Sequence, residues 1–150
     1  MDIGTLLKTL ESHRDKVIVT TNGVFDLLHV GHVRYLEEAK ALGDILVVAV
    51  NSDSSVKENK GPARPFNSEK DRAEVLAALA CVDYVTIFNE KTPVEVLRKL
   101  KPAIHVKGGD YVMEQIVERQ VVEEGGGKVV LLNKIDCAST TDIAAKIRAT

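Results

Sequence analysis

The feature that most limits the fold of this chain is the unbroken apolar run ILVVAV at residues 45–50. β-Branched residues are enriched in strands, and a strand that is apolar on both faces is typical of a parallel sheet covered by helices on each side. The run ends in Asn51, Ser52 and Asp53, which are turn-forming residues. Because open α/β sheets bind ligands at the carboxyl ends of their strands, this end of the run is a candidate ligand site.

Strand-like and helical segments alternate along the whole chain. The strand candidates are residues 17–19, 45–50, 84–88, 104–107 and 128–132. Helical patterns lie at residues 3–13, between the first two strands up to Gly43, from Asn67 or Ser68 to about Ala80, before Pro102, at about 112–124, and from Ser139 to the C-terminus. With 150 residues and no internal repeat, the pattern predicts one domain, residues 1–150. Its fold class is α/β, a doubly wound parallel sheet of about five strands joined by right-handed crossovers.

The segment between the first strand and the next helix, residues 29–32, reads HVGH. A helix N-terminus offers unpaired backbone N–H groups and the positive end of the helix dipole, and both favour a phosphate. His29 and His32 stand at this entrance, and their imidazoles can donate hydrogen bonds to phosphoryl oxygens. Gly31 lacks a Cβ, so an anion could approach the backbone closely. The segment predicts a site that stabilises charge growing on a phosphorus centre.

The two histidines also fit roles that involve no phosphate. They could be helix caps or core residues, surface residues, or a pair of metal ligands. A transition metal would need a third and a fourth ligand. Asp26 could be one of them, but no other His or Cys is near in the sequence. We therefore expect no metal ion that is bound by protein side chains.

Residues 56–72, VKENKGPARPFNSEKDR, form the most loop-like and most basic stretch. Proline and glycine interrupt regular structure there, and Lys57, Lys60, Arg64 and Arg72 stand among fewer acidic residues. A solvated charged loop is one explanation, and a mobile basic loop that closes over a triphosphate is another. Arg72 falls in the first turn of a predicted helix, where a cation does not favour the helix dipole. That position suggests that Arg72 binds an anion.

Two further segments combine turn or cap residues with groups that can bind ligands. Residues 107–110, KGGD, end the fourth strand candidate, where a tight turn or a close approach of the backbone to a ligand explains the paired glycines. Residues 139–142, STTD, open the last helix, and their spacing matches a capping box. Hydroxyls and free N–H groups at a helix start can also bind phosphate, and the two roles are compatible.

Composition narrows the classes of function. The net charge of −2 at pH 7 does not favour a nucleic-acid or anionic membrane surface. No apolar run is long enough to span a bilayer, the N-terminus does not read as a signal peptide, and Cys81 and Cys137 do not form a CxxC pair. We expect a soluble, reduced, cytoplasmic protein. Neither GxGxxG nor a P-loop occurs, which leaves a mononucleotide held by other means.

Taken in order, the motifs resemble those of one family. They are TNGVFDLLHVGHVRYLEEAKALGD, VNSD, KGPARP, DRAEVLAAL, VDYV, VKGGDY and STTDI. The chain resembles the heptose-1-phosphate adenylyltransferases that form the C-terminal part of bifunctional ADP-heptose synthases, within the HxGH nucleotidyltransferase superfamily. The resemblance covers residues 17–148. The sugar-kinase part of those enzymes has no counterpart here, so the resemblance implies no kinase activity.

The resemblance implies a Rossmann-like fold and the transfer of AMP from ATP to a heptose 1-phosphate, with Mg²⁺ bridging the phosphates. Catalytic roles would fall to His29 and His32 at the α-phosphate, and to Lys57 and Arg72 at other phosphates. ATP would be bound by Asn22, Gly23, Phe25, Asp26, Gly31, Lys60, Lys107, Gly109, Asp110, Ser139, Thr140 and Thr141. Related cytidylyltransferases carry an Arg within or just after the Ser-Thr motif. Here the nearest one is Arg148, which we do not expect to touch the phosphates.

Two rival functions stay open. A cytidylyltransferase acting on glycerol 3-phosphate or another small phosphate is the first, because the base pocket is set mostly by backbone and shape. A non-catalytic ATP-binding regulatory module is the second, and it would bind ATP without turnover. In either case we expect small-molecule ligands, neither nucleic acid nor membrane as a partner, and a homodimer as is common in such folds.

Overall fold

Parallel strands form one sheet around which the helices are arranged. The computed structural model describes residues 1–109, 111–133 and 139–150. Within these residues the strands are β1 (Ile18–Gly23), β2 (Ile45–Asn51), β3 (Tyr84–Phe88), β4 (Ile104–Gly108) and β5 (Lys128–Leu132). Their order in the sheet is β3-β2-β1-β4-β5, and each neighbouring pair is parallel. The predicted five-stranded parallel sheet is confirmed.

Helices connect these strands and cover both faces of the sheet. They are α1 (Ile3–Glu11), α2 (Val30–Lys40), α3 (Asp53–Lys60), α4 (Glu69–Ala77), α5 (Val94–Leu100), α6 (Arg119–Glu124) and α7 (Thr140–Ala149), with a 3₁₀ turn at Met113–Gln115. In the described part of the chain, none of them has the length and apolar character that crossing a membrane requires.

The basic stretch at residues 56–72 is not the continuous loop that its composition predicts. Its first residues belong to α3, which runs to Lys60. The Ser52 side chain caps this helix by accepting a hydrogen bond from the Ser55 N–H at 3.2 Å, and Asp53 favours the helix dipole in the first turn. The cap residues outside the stretch therefore decide that its start is helical.

The predicted helix at residues 112–124 is also wrong over its first half. A 3₁₀ turn comes first, and α6 begins only at Arg119. Ile116 lies between them in an extended conformation and is 6% exposed. It packs with Leu97 of α5 and Val122 of α6, so burial of this side chain overrides the helical pattern.

Both faces of the sheet bury apolar cores, and β2 takes part in each. All residues of this strand are buried. Leu46, Val48 and Val50 pack with side chains of α2 and α4, whereas Ile45 and Val47 pack with side chains of α1 and α5. This confirms the interpretation of the unbroken apolar run as a strand covered on both faces.

The strand order reverses beside β1, and this reversal determines where a ligand can bind. From β1 the chain continues to β2 and β3 on one side, whereas β4 and β5 lie on the other side. Connections that leave neighbouring parallel strands in opposite directions open a crevice outside their carboxyl ends. Gly23 ends β1 and Gly108 ends β4, so both glycines stand at the mouth of this crevice.

Candidate active site

A cleft of about 320 Å³ lies at the carboxyl ends of β1 and β4. It is lined by Asn22, Gly23, Val24, Phe25 and Asp26 from β1 and the following residues, His32 and Tyr35 from α2, Lys60 and Arg64 from the basic stretch, Lys107, Gly108 and Tyr111 from β4 and beyond, and Thr140 and Thr141 from α7. The N-terminal turns of α2 and α7 therefore reach the same cleft. Each brings backbone donors and the positive end of a helix dipole.

The backbone at the start of α2 determines the tautomer of both histidines. His29 is the N-cap residue, and its Nδ1 accepts a hydrogen bond from the Gly31 N–H at 3.1 Å. The Nδ1 of His32 accepts one from the His29 N–H at 3.3 Å. A nitrogen that accepts a hydrogen bond cannot carry the proton of a neutral imidazole. Each neutral ring therefore carries its N–H on Nε2.

The His32 ring lies between two other rings. Its centroid is 3.9 Å from that of His29 in a stacked arrangement and 5.4 Å from that of Phe25, which approaches edge-on. Burial, followed by the nearby charges of His29 and Lys60, lowers the pKa of His32 to about 4. His32 is therefore neutral near pH 7 and offers a hydrogen-bond donor rather than a charge. Lys60 and His32 line the same cleft.

Phe25 holds an uncommon backbone conformation to reach His32. Its φ is 49°, in the left-handed region that disfavours residues other than glycine. A Cβ on Gly23 would stand 2.8 Å from the Phe25 ring, so only glycine fits there. Phe25 is 7% exposed and belongs to the core on the α2 side of the sheet. Gly23 and Phe25 are thus a matched pair that shapes the cleft beside the histidines.

Asp26 fixes the residues that follow α3 to the cleft. Its carboxylate accepts hydrogen bonds from the backbone N–H groups of Phe66 at 2.8 Å and Asn67 at 2.9 Å. The Asn67 side-chain amide donates to the Asp26 carbonyl oxygen at 2.9 Å. Arg64 lies 3.7 Å from the same carboxylate, and its guanidinium stacks over the Phe66 ring at 4.4 Å. Asp26 thereby positions Arg64 in the cleft lining, and both of its carboxylate oxygens are engaged.

Arg72 is built into the fold and does not line the cleft. Its side chain is 1% exposed. Its Nε donates to the Asn67 carbonyl at 3.0 Å, one terminal nitrogen donates to the Val24 carbonyl at 2.8 Å, and the other donates to Asp53 Oδ1 at 2.9 Å. Lys57 is exposed on α3 and is also not brought to the cleft. Their roles toward phosphate therefore stay predictions of the resemblance.

An ion pair stands in the wall that β4 contributes. The Lys107 Nζ lies 3.1 Å from Glu118 Oε1, and the two side chains are 14% and 5% exposed. The same Nζ lies 5.1 Å from the centroid of the Tyr111 ring. Asn22, on neighbouring β1, adds a buried Oδ1 that has no hydrogen-bond partner among the described residues. This wall therefore combines a paired charge, an aromatic face and an open acceptor.

Tyr35 of α2 packs against Gly108, the glycine that ends β4. Its hydroxyl lies 2.6 Å from Thr21 Oγ1 and donates to the Val106 carbonyl at 3.0 Å. A Cβ on Gly108 would stand 2.8 Å from the Tyr35 ring, so the glycine permits this close packing. Burial raises the pKa of Tyr35 to about 12. Tyr35 is therefore a neutral group that ties α2 to β1 and β4, and it does not supply a proton near pH 7.

The start of α7 combines capping with cleft lining. The Ser139 hydroxyl accepts from the Asp142 N–H at 3.1 Å, and the Asp142 carboxylate accepts from the Ser139 N–H at 2.9 Å, which confirms the predicted capping box. Thr140 Oγ1 donates to the Leu27 carbonyl at 2.9 Å. This bond ties the helix start to the residues that follow β1. Thr140 and Thr141 line the cleft beside the cap.

The structure brings most of the predicted site residues together. Those that line the cleft are Asn22, Gly23, Phe25, Asp26, His32, Lys60, Lys107, Thr140 and Thr141. Gly31, Gly109 and Ser139 are next to lining residues in the chain but are not part of the lining in the described residues. His29 is also outside this lining, and its ring stacks on that of His32. Asp110 lies outside the described residues.

The lining also contains residues that the sequence analysis does not assign to the site. They are Val24, Tyr35, Arg64, Gly108 and Tyr111. Tyr35 lies at i+3 from His32, which places both on one helix face and is a usable signal. Tyr111 ends the VKGGDY motif, and its place in that motif is a second usable signal. The sequence does not predict that Arg64 lines the cleft and Arg72 does not, because their different positions depend on partners that are distant in the chain.

Several known proteins resemble this chain in sequence. A family model described as cytidylyltransferase-like matches residues 20–146. The "Bifunctional protein HldE" of Syntrophotalea carbinolica is 53% identical over 138 residues, which are 92% of this chain and 28% of that protein. The protein of the same name from Geobacter metallireducens is 56% identical over 137 residues, which are 91% of this chain and 28% of that protein. The chain thus spans about 28% of the length of these curated relatives.

Solved structures show the same fold. A lipopolysaccharide core biosynthesis protein from Thermoplasma volcanium is 30% identical and superimposes with a TM-score of 0.66, over 82% of this chain and 99% of that chain. The pantoate-beta-alanine ligase of Francisella tularensis has a TM-score of 0.65 over 99% of this chain and 77% of that one. At 17% identity the second likeness concerns the fold alone.

Proposed function

The chain belongs to the cytidylyltransferase-like family of nucleotidyltransferases, and from this we propose that it transfers AMP from ATP to a heptose 1-phosphate. The products would be ADP-heptose and pyrophosphate. The relatives named HldE and the lipopolysaccharide core biosynthesis protein support a role in the precursors of surface glycans. The family description leaves CTP as the competing nucleotide.

The observation that carries the proposal is the convergence of two helix N-termini on one cleft. His32 comes from the first turn of α2, and Thr140 and Thr141 come from the first turn of α7. Lys60 lines the same cleft and lies near enough to His32 to lower its pKa. Backbone donors, helix dipoles and a cation around one cavity suit a polyphosphate. A triphosphate is the ligand that would use both helix starts at once.

The proposed reaction is a displacement at the α-phosphorus of ATP. An oxygen of the sugar phosphate forms the new bond to this phosphorus, and the bond to the bridging oxygen of the β-phosphate breaks. Pyrophosphate leaves with that oxygen. A phosphate monoester is already ionised near pH 7, so no general base is required. This agrees with an Asp26 carboxylate that is engaged by Phe66, Asn67 and Arg64.

In this scheme the residues of the chain act by position and charge. The Nε2–H of His32 would donate to the α-phosphoryl oxygen as negative charge grows on it, and Lys60 would offset part of that charge. An arriving anion also favours the protonated imidazole, so we expect the pKa of His32 to rise when the nucleotide binds. Thr140 and Thr141 would hold the phosphates that leave as pyrophosphate.

Mg²⁺ belongs to this proposal as a companion of the triphosphate. Among the described residues, no group of three or more His, Cys, Asp or Glu is arranged to hold a metal ion. Asp26 is engaged with backbone donors, and Glu118 is paired with Lys107. These residues do not fit a protein-bound Mg²⁺ site, and no step of the proposed reaction depends on one. The phosphates themselves are the oxygen ligands that Mg²⁺ prefers.

The test is pyrophosphate release with a heptose 1-phosphate, with ATP and CTP in parallel. Release with ATP and little with CTP is the expected result. Release with CTP alone would assign the protein to the cytidylyltransferases. ATP binding by calorimetry with no release on any of a panel of sugar and polyol phosphates would contradict catalysis and favour a regulatory module. Omission of the sugar phosphate controls for simple hydrolysis of ATP.

A further inference from the structure

Among the described residues, Lys60 and Lys107 line the cleft, and their surroundings differ. Within the described residues Lys60 takes part in no ion pair, so its charge is available to a ligand. The Lys107 ammonium, in contrast, already lies 3.1 Å from the Glu118 carboxylate. A carboxylate this close offsets the positive charge and repels a phosphate. The two lysines therefore suit different parts of a nucleotide.

Glu118 is an unusual choice for a purely structural residue. It lies just before α6 and is 4% exposed, and Lys107 is its partner in the described residues. Burying a carboxylate is costly, and a buried ion pair is often no more stabilising than two apolar side chains of similar volume. Ile116 and Val121, on either side of Glu118 in the chain, show that this segment can bury apolar residues. The Lys107–Glu118 ion pair is thus better explained by a role in the cleft, which Lys107 lines, than by a role in stability.

Three features of the structure determine the position of the Lys107 ammonium group. Its backbone belongs to β4, its Nζ is held by Glu118, and the Tyr111 ring lies 5.1 Å from the same atom. An ammonium group has further donors beyond the one that Glu118 engages. Because Lys107 lines the cleft, those donors can reach a ligand there. Donors of a charge-compensated ammonium suit hydroxyls and ring nitrogens more than phosphate oxygens.

Two neighbouring groups favour the same kind of ligand. Tyr111 lines the cleft and is 52% exposed, so its ring offers an apolar face on which a planar base can stack. Asn22 Oδ1 is a buried acceptor without a partner among the described residues, and it suits a hydroxyl or amine of the ligand. Neither the ring face of Tyr111 nor the acceptor oxygen of Asn22 complements a phosphate.

We propose that Glu118 is a positioning residue, which fixes Lys107 and offsets its charge so that this wall takes the nucleoside and not a phosphate. The inference rests on the proposed function, since it assigns the two ends of one nucleotide to two ends of the cleft. The phosphates then lie toward His32, Lys60 and α7. Glu118 itself touches no substrate and acts through Lys107.

Calorimetry with two probes tests the proposal, namely the nucleotide that the wild-type protein binds and inorganic tripolyphosphate. The variants are Glu118→Gln, Lys107→Met and the double variant. We expect Glu118→Gln to weaken nucleotide binding about tenfold, as for the loss of one charge-assisted contact, and to leave tripolyphosphate binding unchanged or tighter. We expect Glu118→Gln to add no further loss in the Lys107→Met background, because its effect passes through that residue. Glu123→Gln is the matched control, since Glu123 pairs with Arg119 on the exposed face of α6.

Three results would overturn the proposal. The first is an equal loss of affinity for both probes, which would make the wall a phosphate site. The second is additive losses in the double variant. The third applies if Glu118→Gln does not fold. The pair is then replaced by two methionines, and wild-type nucleotide affinity in Lys107→Met/Glu118→Met would contradict any role for it. Wild-type binding and turnover with ATP and CTP report on the proposed function separately.

Discussion

The HVGH segment, residues 29–32, and the basic segment, residues 56–72, reach the same cleft by different means. Within HVGH the hydrogen bonds to the Nδ1 atoms are local, because each imidazole accepts one from a backbone N–H of the same helix start. In the basic segment the contacts are distant. Arg72 donates to Val24 and Asp53, and Asp26 holds the residues beside Arg64.

Because of this difference, we expect substitutions in the two segments to affect different properties of the protein. The His32 imidazole, which accepts its hydrogen bond from its own helix start, can be removed without loss of a hydrogen bond between distant elements among the described residues. A guanidinium that joins the end of β1 to α3 and α4 cannot. We therefore expect substitutions in HVGH to change turnover, and substitutions in the basic segment to change either stability or substrate affinity according to where each side chain lies.

Arg72→Ala should give the largest effect on the fold. It removes donors to the Asn67 and Val24 carbonyls and the partner of Asp53, in a side chain that is 1% exposed. We expect the free energy of unfolding to fall by about 3 kcal/mol, measured by urea denaturation. The matched control is Arg98→Ala, an arginine that is 55% exposed, with an expected change within about 0.5 kcal/mol. Unchanged stability with lost turnover would instead show that Arg72 serves the substrate.

His32→Ala should give the largest effect on turnover. If one donor to the developing charge is lost, kcat should fall by about 100-fold or more, with a far-UV spectrum and unfolding midpoint close to those of the wild type. His29→Ala removes the ring that stacks on His32 at 3.9 Å, and we expect a loss of similar order. His13→Ala, far from the cleft among the residues after α1, is the control. Unchanged kcat in both HVGH variants would refute their catalytic role.

The local segment is also the one that the sequence predicts well. The strand before HVGH, the helix after it and the position of His32 in the cleft follow from hydrophobic pattern and helix-start chemistry, which act over a few residues. The capping box at Ser139 is predictable for the same reason. The start of α3 is the exception, because it is not predicted although its signal, a Ser52 cap followed by Asp53, is equally local.

What the sequence does not predict depends on partners that are distant in the chain. Arg64 and Arg72 lie in one basic stretch, yet Asp26 directs one to the cleft while Val24 and Asp53 hold the other in the core. Long side chains reach several places from one backbone position, so spacing alone does not assign them. The Lys107–Glu118 pair is hidden for the same reason, since its members come from β4 and the start of α6.

Lowering the pH protonates histidines, whereas lysines and arginines are already protonated at pH 7. A pH titration therefore tests the contribution of histidines to stability without mutation. Burial lowers the pKa of His105, which lies on β4 and is 0% exposed, from 6.5 to about 3. The unfolded chain therefore takes up this proton below about pH 6.5 while the folded protein does not. Stability is complete above that pH and falls below it, by about 3 kcal/mol near pH 4.5 from this residue. His32 contributes in the same direction.

The measurement is urea denaturation between pH 7 and 4.5 on the wild type and His105→Gln. Carboxylates add their own acid sensitivity to both proteins, so the informative quantity is the difference between the two slopes. We expect the wild type to lose more stability than His105→Gln over this range. Parallel slopes would show that the buried imidazole is protonated in the folded protein.

Lys60→Met and Lys57→Met compare two lysines of one helix and should give the smallest effects. Lys60 lines the cleft and influences the pKa of His32, whereas Lys57 is exposed and does not line it. We expect Lys60→Met to raise KM for the nucleotide about tenfold, since one charge-assisted contact is lost, and Lys57→Met to raise it less. Lys70→Met, an exposed lysine on α4, controls for the change of net charge. A larger effect at Lys57 would contradict the assignment of Lys60 to the phosphates and would indicate that α3 moves toward the bound triphosphate.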